Sequence, residues 1–204
     1  MTDRFGRLLD HADRLLGGVE NGLNLLAGVL IFALMLLGVV QIVLRTVFNA
    51  PIFGYIDVVE VAMVGFAVLS IAFVQRVGGH VRMEMLVGKL AGRAKWLVEA
   101  LGTGLAAFIV AVLIPYSWAH FERAFEFGDS TIDIELVTWP AKLVVPVALS
   151  VLLLRLAVQF GGYLRLAAAP ELEPVAVPSI QDAAERAQQE ILLSEGDDAD
   201  RGPR

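Results

Sequence analysis

Apolar and polar positions along this chain do not alternate; they gather into long runs. Leu23 to Leu44 is broken only by Asn24 near one end and Gln41 near the other. Val58 to Val74 is shorter and contains Glu60. Trp96 to Ala119 contains Glu99 and Pro115, and Trp139 to Phe160 carries Lys142 and Arg155 near its two ends, where long side chains are expected to snorkel to the interface. A helix needs about 20 mostly apolar residues to cross a bilayer core. The pattern therefore predicts an all-α integral membrane protein with four spans, at about 23–44, 58–74, 96–119 and 139–160. The first run is too long for a signal-peptide core, and the "RTVFNAP" after it lacks a small-residue cleavage pattern.

The segments outside the runs have patterns of their own. In residues 1–20, Phe5, Leu8, Leu9, Leu15 and Leu16 recur at near-helical spacing. They predict an amphipathic lead-in helix along the membrane surface. Gly78 and Gly79 are expected to end the second span. Beyond them Val81, Met85, Leu86 and Leu90 share a helical face, flanked by Arg82, Glu84, Lys89 and Arg93. That predicts a helix lying in the interface, its bases near anionic headgroups. The four-helix domain is taken as residues 21–166, and residues 167–204 as an acidic, largely disordered tail. Within that tail, "PELEPVAVP" reads as an extended linker. Ser179 and Asp182 then start a short helix with Ile180, Ala184, Ala187 and Ile191 on one side.

Composition supports the membrane class. Of 204 residues, 57% are hydrophobic, above the roughly 45–50% of soluble domains. The net charge of −6 resides in the tail, where nine acids face three bases from Glu171 onward. No basic surface suited to nucleic acid is visible, and the absence of cysteine excludes thiolate metal sites. Ten Lys and Arg residues flank the spans on the side of the termini, against Arg45, Arg123 and Lys142 on the other. By the positive-inside rule both termini are cytoplasmic. The loop from Phe121 to Thr138 then faces outward with Glu122, Glu126, Asp129, Asp133 and Glu135 against Arg123. A partner with a basic patch would be steered to it.

Ionisable groups inside a span are functional candidates by default. Asp57 and Glu60 lie three residues apart on one helical face, and Arg45 at the same level is expected to pair with Glu60. Gln41 and Asn24 read as hydrogen-bonding groups between helices. Ala100, Thr103, Gly104, Ala107 and Ala111 allow close packing of the third span. Trp96, Tyr116, Trp118 and Trp139 fit interfacial aromatic belts. A four-helix membrane cytochrome would need histidines mid-span, whereas His11, His80 and His120 fall outside the spans or at an end. A lipid-metabolising enzyme would need a metal-ligand or nucleophile pattern that the spans lack. A channel built from this chain alone would want a polar face along one span. An accessory subunit of some other membrane complex remains the alternative.

The stretch "RVGGHVRMEMLVGKL" resembles the signature region of the small transmembrane subunit of tripartite ATP-independent periplasmic (TRAP) transporters. The matching positions are Arg76, His80, Arg82 and Glu84, the last more often Asp in the family. "RTVFNAPIFGYIDVVE" is similar to the family's first outer loop, with Arg45, Phe48, Pro51 and Glu60 in place. The segment from Gly128 to Leu156 is similar to its last loop and fourth span, with Ser130, Thr131, Trp139, Pro140, Lys142 and Pro146. The resemblance covers roughly Asn21 to Leu166.

It implies a non-enzymatic scaffold in a bacterial inner membrane, without cofactor. The partners it implies are a large permease subunit, which moves an organic acid on a sodium gradient, and a periplasmic substrate-binding protein. Arg45, Asp57, Glu60, Arg76, His80, Arg82, Glu84, Trp139 and Lys142 would then belong to the scaffold and its partner interface. Glu126, Asp129, Asp133 and Glu135 would help dock the binding protein.

Overall fold

Five helices account for almost all of the chain described by the computed structural model, which covers residues 4–78, 93–169 and 175–177. They are α1 (Arg4–Val47), α2 (Tyr55–Leu69), α3 (Ile71–Arg76), α4 (Arg93–Phe127) and α5 (Trp139–Ala168). Helices α2 and α3 are one 22-residue span with an irregularity at Ser70, so four helices are long and apolar enough to cross a membrane. No β-strand forms among the described residues; Ser130 and Val137 make a lone bridge. The interfacial helix expected after Gly79 and most of the tail lie outside the described residues, as do His80, Arg82 and Glu84.

Two element boundaries differ from the sequence pattern. The lead-in is not a separate helix: α1 runs unbroken for 44 residues, about 66 Å at 1.5 Å per residue. Gly17, Gly18 and Gly22 weaken that stretch, each by about 1 kcal/mol relative to alanine. None of them removes a backbone donor as proline would, so the helix continues. At the other end α4 passes Ala119 and stops only at Gly128, which takes φ 68°. Pro115 lies within α4 without ending it. Gly78, at φ 71°, ends the second span where expected.

Packing is closest between the antiparallel α4 and α5. Lipid is as apolar as leucine, so helices in a membrane associate through small residues and polar contacts rather than hydrophobic burial. Ala100 and Thr103 of α4 are buried, and Phe160 of α5 lies over Gly104. The core joins Ala72, Val110, Leu152 and Leu156 from three helices. Aromatic contacts mark both ends of this pair: Trp96 with Tyr163 at 6.2 Å, and Phe125 with Trp139 at 5.5 Å, flanked by Phe121 and Trp118. The most apolar window of α1 is only 6% buried, against 33% for α5. Helix α1 thus offers most of its apolar surface to whatever surrounds the bundle.

Candidate functional site

The polar residues of the bundle concentrate at its two ends. One end holds the start of α1 and the ends of α3 and α5; the other holds the connections 48–54 and 128–138.

At the first end, Arg155 of α5 is completely buried. Its Nε and Nη2 donate to the two carboxylate oxygens of Glu20 on α1, at 2.6 and 2.7 Å, and its Nη1 donates to Asp13. Glu20 is itself fully buried and also faces Arg76 Nε of α3 at 3.4 Å. Arg76 Nη2 donates to Asn21, and its guanidinium lies 5.2 Å from the centre of the Phe73 ring. Two cations and two anions therefore balance where three helices meet. Alongside, Gln75 Nε2 donates to Gln159 Oε1 at 2.8 Å. Gly17 makes room for this arrangement: a Cβ there would collide with Arg76 Nη1. The fork geometry of Arg155 on Glu20 is the bidentate form that makes arginine–carboxylate pairs strong and directional. A snorkelling role for Arg155, expected from its place near the end of a run, is replaced by a buried joint.

At the other end the centre is Asp57, buried in the first turn of α2. One carboxylate oxygen accepts the Thr131 hydroxyl at 2.5 Å and the backbone N–H groups of Ile134 and Asp133 at 2.9 and 3.1 Å. Thr131 Oγ1 accepts from Leu136 N, and Thr131 N donates to Leu136 O at 2.9 Å, closing the loop on itself. Lys142 Nζ donates to Asp129 Oδ2 at 2.6 Å, while Thr138 N donates to the Asp129 carbonyl. This lysine holds the Asp129 carboxyl below the usual carboxylate range. Partial burial opposes that shift, and the charges of Lys142, Arg123 and His120 add to it. Gln41 Oε1 accepts Ile52 N at 2.7 Å, so it secures the 48–54 connection rather than another helix. Gly54, at φ 75°, lies under Ile134; a Cβ there would collide with that side chain.

The residues singled out by sequence are thus separated into two groups. Asp57 of α2 and Lys142 of α5 both fasten the 128–138 loop, the latter through Asp129, and Arg76 joins the other end. Trp139 packs edge-on against Phe125 and Phe121. Arg45 and Glu60 form no ion pair with each other. Asp57 and Glu60 straddle the edge of the buried face of α2, so Asp57 turns under the loop while Glu60 is exposed. Arg45 is exposed beside a cavity of about 450 Å³ lined also by Gln41, Tyr55 and Asp133. Glu126, Asp133 and Glu135 are exposed as expected, but Asp129 is half-buried and neutralised by Lys142. The sequence pattern does not single out Glu20, Asp13, Arg155 and Thr131 as partners. Among the described residues no three His, Asp or Glu side chains gather as metal ligands.

A family model for the DctQ component of tripartite ATP-independent periplasmic transporters matches residues 34–166. No curated protein matches the chain.

Proposed function

This chain belongs to the DctQ family of tripartite ATP-independent periplasmic transporters, and on that premise we propose that it is the fixed scaffold against which the large permease subunit works. As a family member it is the small subunit of such a transporter, a multi-pass membrane protein and not an enzyme. The family implies a large permease and a binding protein as partners. In the proposed arrangement the complex sits in a bacterial inner membrane with both termini of this chain in the cytoplasm. The large subunit imports an organic acid, dicarboxylate-like or a sugar acid, on a sodium gradient. This chain holds that subunit's stationary part and presents its outer loop to the binding protein.

The observation that carries the scaffold reading is the use made of buried charge. Glu20, Asp57 and Arg155 are the buried acidic and basic side chains among the described residues, and each is engaged within the chain. A group on an ion or substrate path faces a cavity and stays available; these three instead fasten helices and loop together. Glu60, exposed inside the α2 span, and the exposed Arg45 at the end of α1 are available to a neighbouring membrane subunit. Extraction of the tagged chain in mild detergent should bring down a much larger multi-span protein at equal stoichiometry. Recovery of the chain alone, or with an unrelated complex, would move it to an accessory role elsewhere.

Docking is tested on the acids that remain free of internal pairing. Replacing Glu126, Asp133 and Glu135 together by lysine should raise the binding-protein concentration needed for half-maximal uptake and weaken its dependence on salt, since rim charges act mainly on encounter. Unchanged uptake kinetics in that variant would remove the loop from the docking surface.

A further inference from the structure

The 128–138 loop carries two isoleucines two positions apart, and the fold treats them in opposite ways. Ile134 is seated: its side chain lies over Gly54, close enough to exclude a Cβ there, and it is 38% exposed. Ile132 is 96% exposed, more than any other large apolar side chain among the described residues. Slackness of the loop does not account for this. On one side Thr131 donates its N–H to Leu136 O and its hydroxyl to Asp57. On the other side the N–H groups of Asp133 and Ile134 donate to that same carboxylate. Glu135 holds φ 53°, a left-handed conformation that a residue with a Cβ adopts only at a cost. An apolar side chain is thus held out, and held still, by bonds on both sides of it.

Building on the docking role proposed for the outer loop, we propose that Ile132 is the anchor by which the periplasmic binding protein attaches. It enters an apolar pocket on that protein, whose rim carries lysine or arginine side chains opposite Asp133 and Glu135. Those two exposed acids stand one and three residues beyond Ile132. Anionic lipid headgroups repel such a tip, whereas a protein surface with basic groups attracts it. Asp133 also borders the cavity lined by Phe53 and Ile56, so a partner at the loop tip meets further apolar surface beside it. Binding energy concentrates in a few anchors that fill desolvated pockets, while rim charges act on encounter. The acids therefore steer and Ile132 holds. Fixing the anchor in advance lowers the ordering cost of docking. Asp57 is then a positioning residue for docking, since it holds the backbone on which Ile132 stands.

Uptake is measured in proteoliposomes of the complete transporter, large subunit included, while purified binding protein is titrated. Ile132→Ser should raise the half-saturating concentration about tenfold and leave uptake at saturation unchanged. Ile132→Met keeps the apolar bulk and should stay within about twofold of native. The Ile132→Ser loss should be equal at low and high salt, unlike that of the variant with lysine at 126, 133 and 135. No change in Ile132→Ser while the lysine variant shifts overturns the anchor and leaves the loop as a charged docking surface. No change in either variant removes the docking role itself, and the anchor with it. Loss of the large subunit from the purified Ile132→Ser complex also overturns the proposal, because the isoleucine then faces the permease.

Discussion

The two ends of the bundle fix a carboxylate by different means. At the terminal end the buried Glu20 is held by two guanidinium groups, so charge is answered by charge. At the loop end Asp57 is held by a hydroxyl and two backbone amides, with no cation bonded to it among the described residues. The first joins side chains from three helices and so sets how the helices sit. The second orders a loop of eleven residues, 128–138, over the start of one helix. Buried ion pairs contribute little net stability when intact, because desolvation opposes attraction, yet breaking one is costly because it strands a charge. Backbone donors are fixed in place by the loop itself; loss of the carboxylate frees the loop and leaves the helices where they were.

The largest effect is therefore expected from Arg155→Ala. It leaves Glu20 and Asp13 facing each other without their shared cation, at a cost of about 3–5 kcal/mol. The thermal midpoint of the detergent-solubilised chain should fall sharply. Arg155→Met combined with Glu20→Leu removes both charges of the fork and should lose less than Arg155→Ala alone. Equal midpoints for native protein and Arg155→Ala would break the distinction drawn between the two ends.

Why was this joint illegible in the sequence? The four spans were legible, because long apolar runs have few meanings in a chain. Arg155 stands near the end of such a run, where a long side chain can reach the interface, and that reading is locally complete. Its partner Glu20 lies 135 positions earlier, in a segment whose leucine spacing points to a surface helix. Only the continuity of α1 brings Glu20 into the bundle. Asp57 was legible as an unusual residue but not in its role. The visible cation, Arg45, is assigned by sequence to the neighbouring Glu60, and the donors to Asp57 are a threonine and two backbone amides, which carry no pattern. The docking acids were legible as a charged loop, yet the pairing that takes Asp129 out of the set depends on α5 presenting Lys142 to it.

A smaller and more local effect should result from Asp57→Asn. The amide oxygen can still accept from Thr131 and the loop amides, but hydrogen bonds to a neutral acceptor are roughly half as strong as those to a carboxylate. Local opening should rise first, since loops detach at lower free energy than the bundle unfolds. Limited proteolysis should nick residues 128–138 faster in this variant, with the thermal midpoint close to native. A midpoint drop as large as that of Arg155→Ala would show that the loop, too, holds the helices together, and the two ends would then be alike.

The smallest effect belongs to the Asp129–Lys142 pair, and acid is the way to isolate it. The folded state holds the Asp129 carboxyl below its unfolded value, chiefly through the Lys142 hydrogen bond. A depressed carboxylate contributes stability that is complete above the unfolded pKa, about 3.9, and is lost as pH falls through the lower folded value. Near neutral pH the contribution is therefore constant, and no titration of this pair should appear between about pH 6 and 8. Asp129→Asn should loosen the loop by a fixed small amount in that range, measured again by cleavage within 128–138. Below about pH 4 the native loop should loosen toward the variant until the two coincide, because protonation removes the same charge as the substitution. The difference should also shrink with added salt, since the pair is partly exposed and screened. A gap between native and Asp129→Asn that survives acid would mean that the carboxyl's shape and its bonds, not its charge, position the loop. The loop end would then be neutral in kind throughout, and the contrast with the charged joint at Arg155 would sharpen.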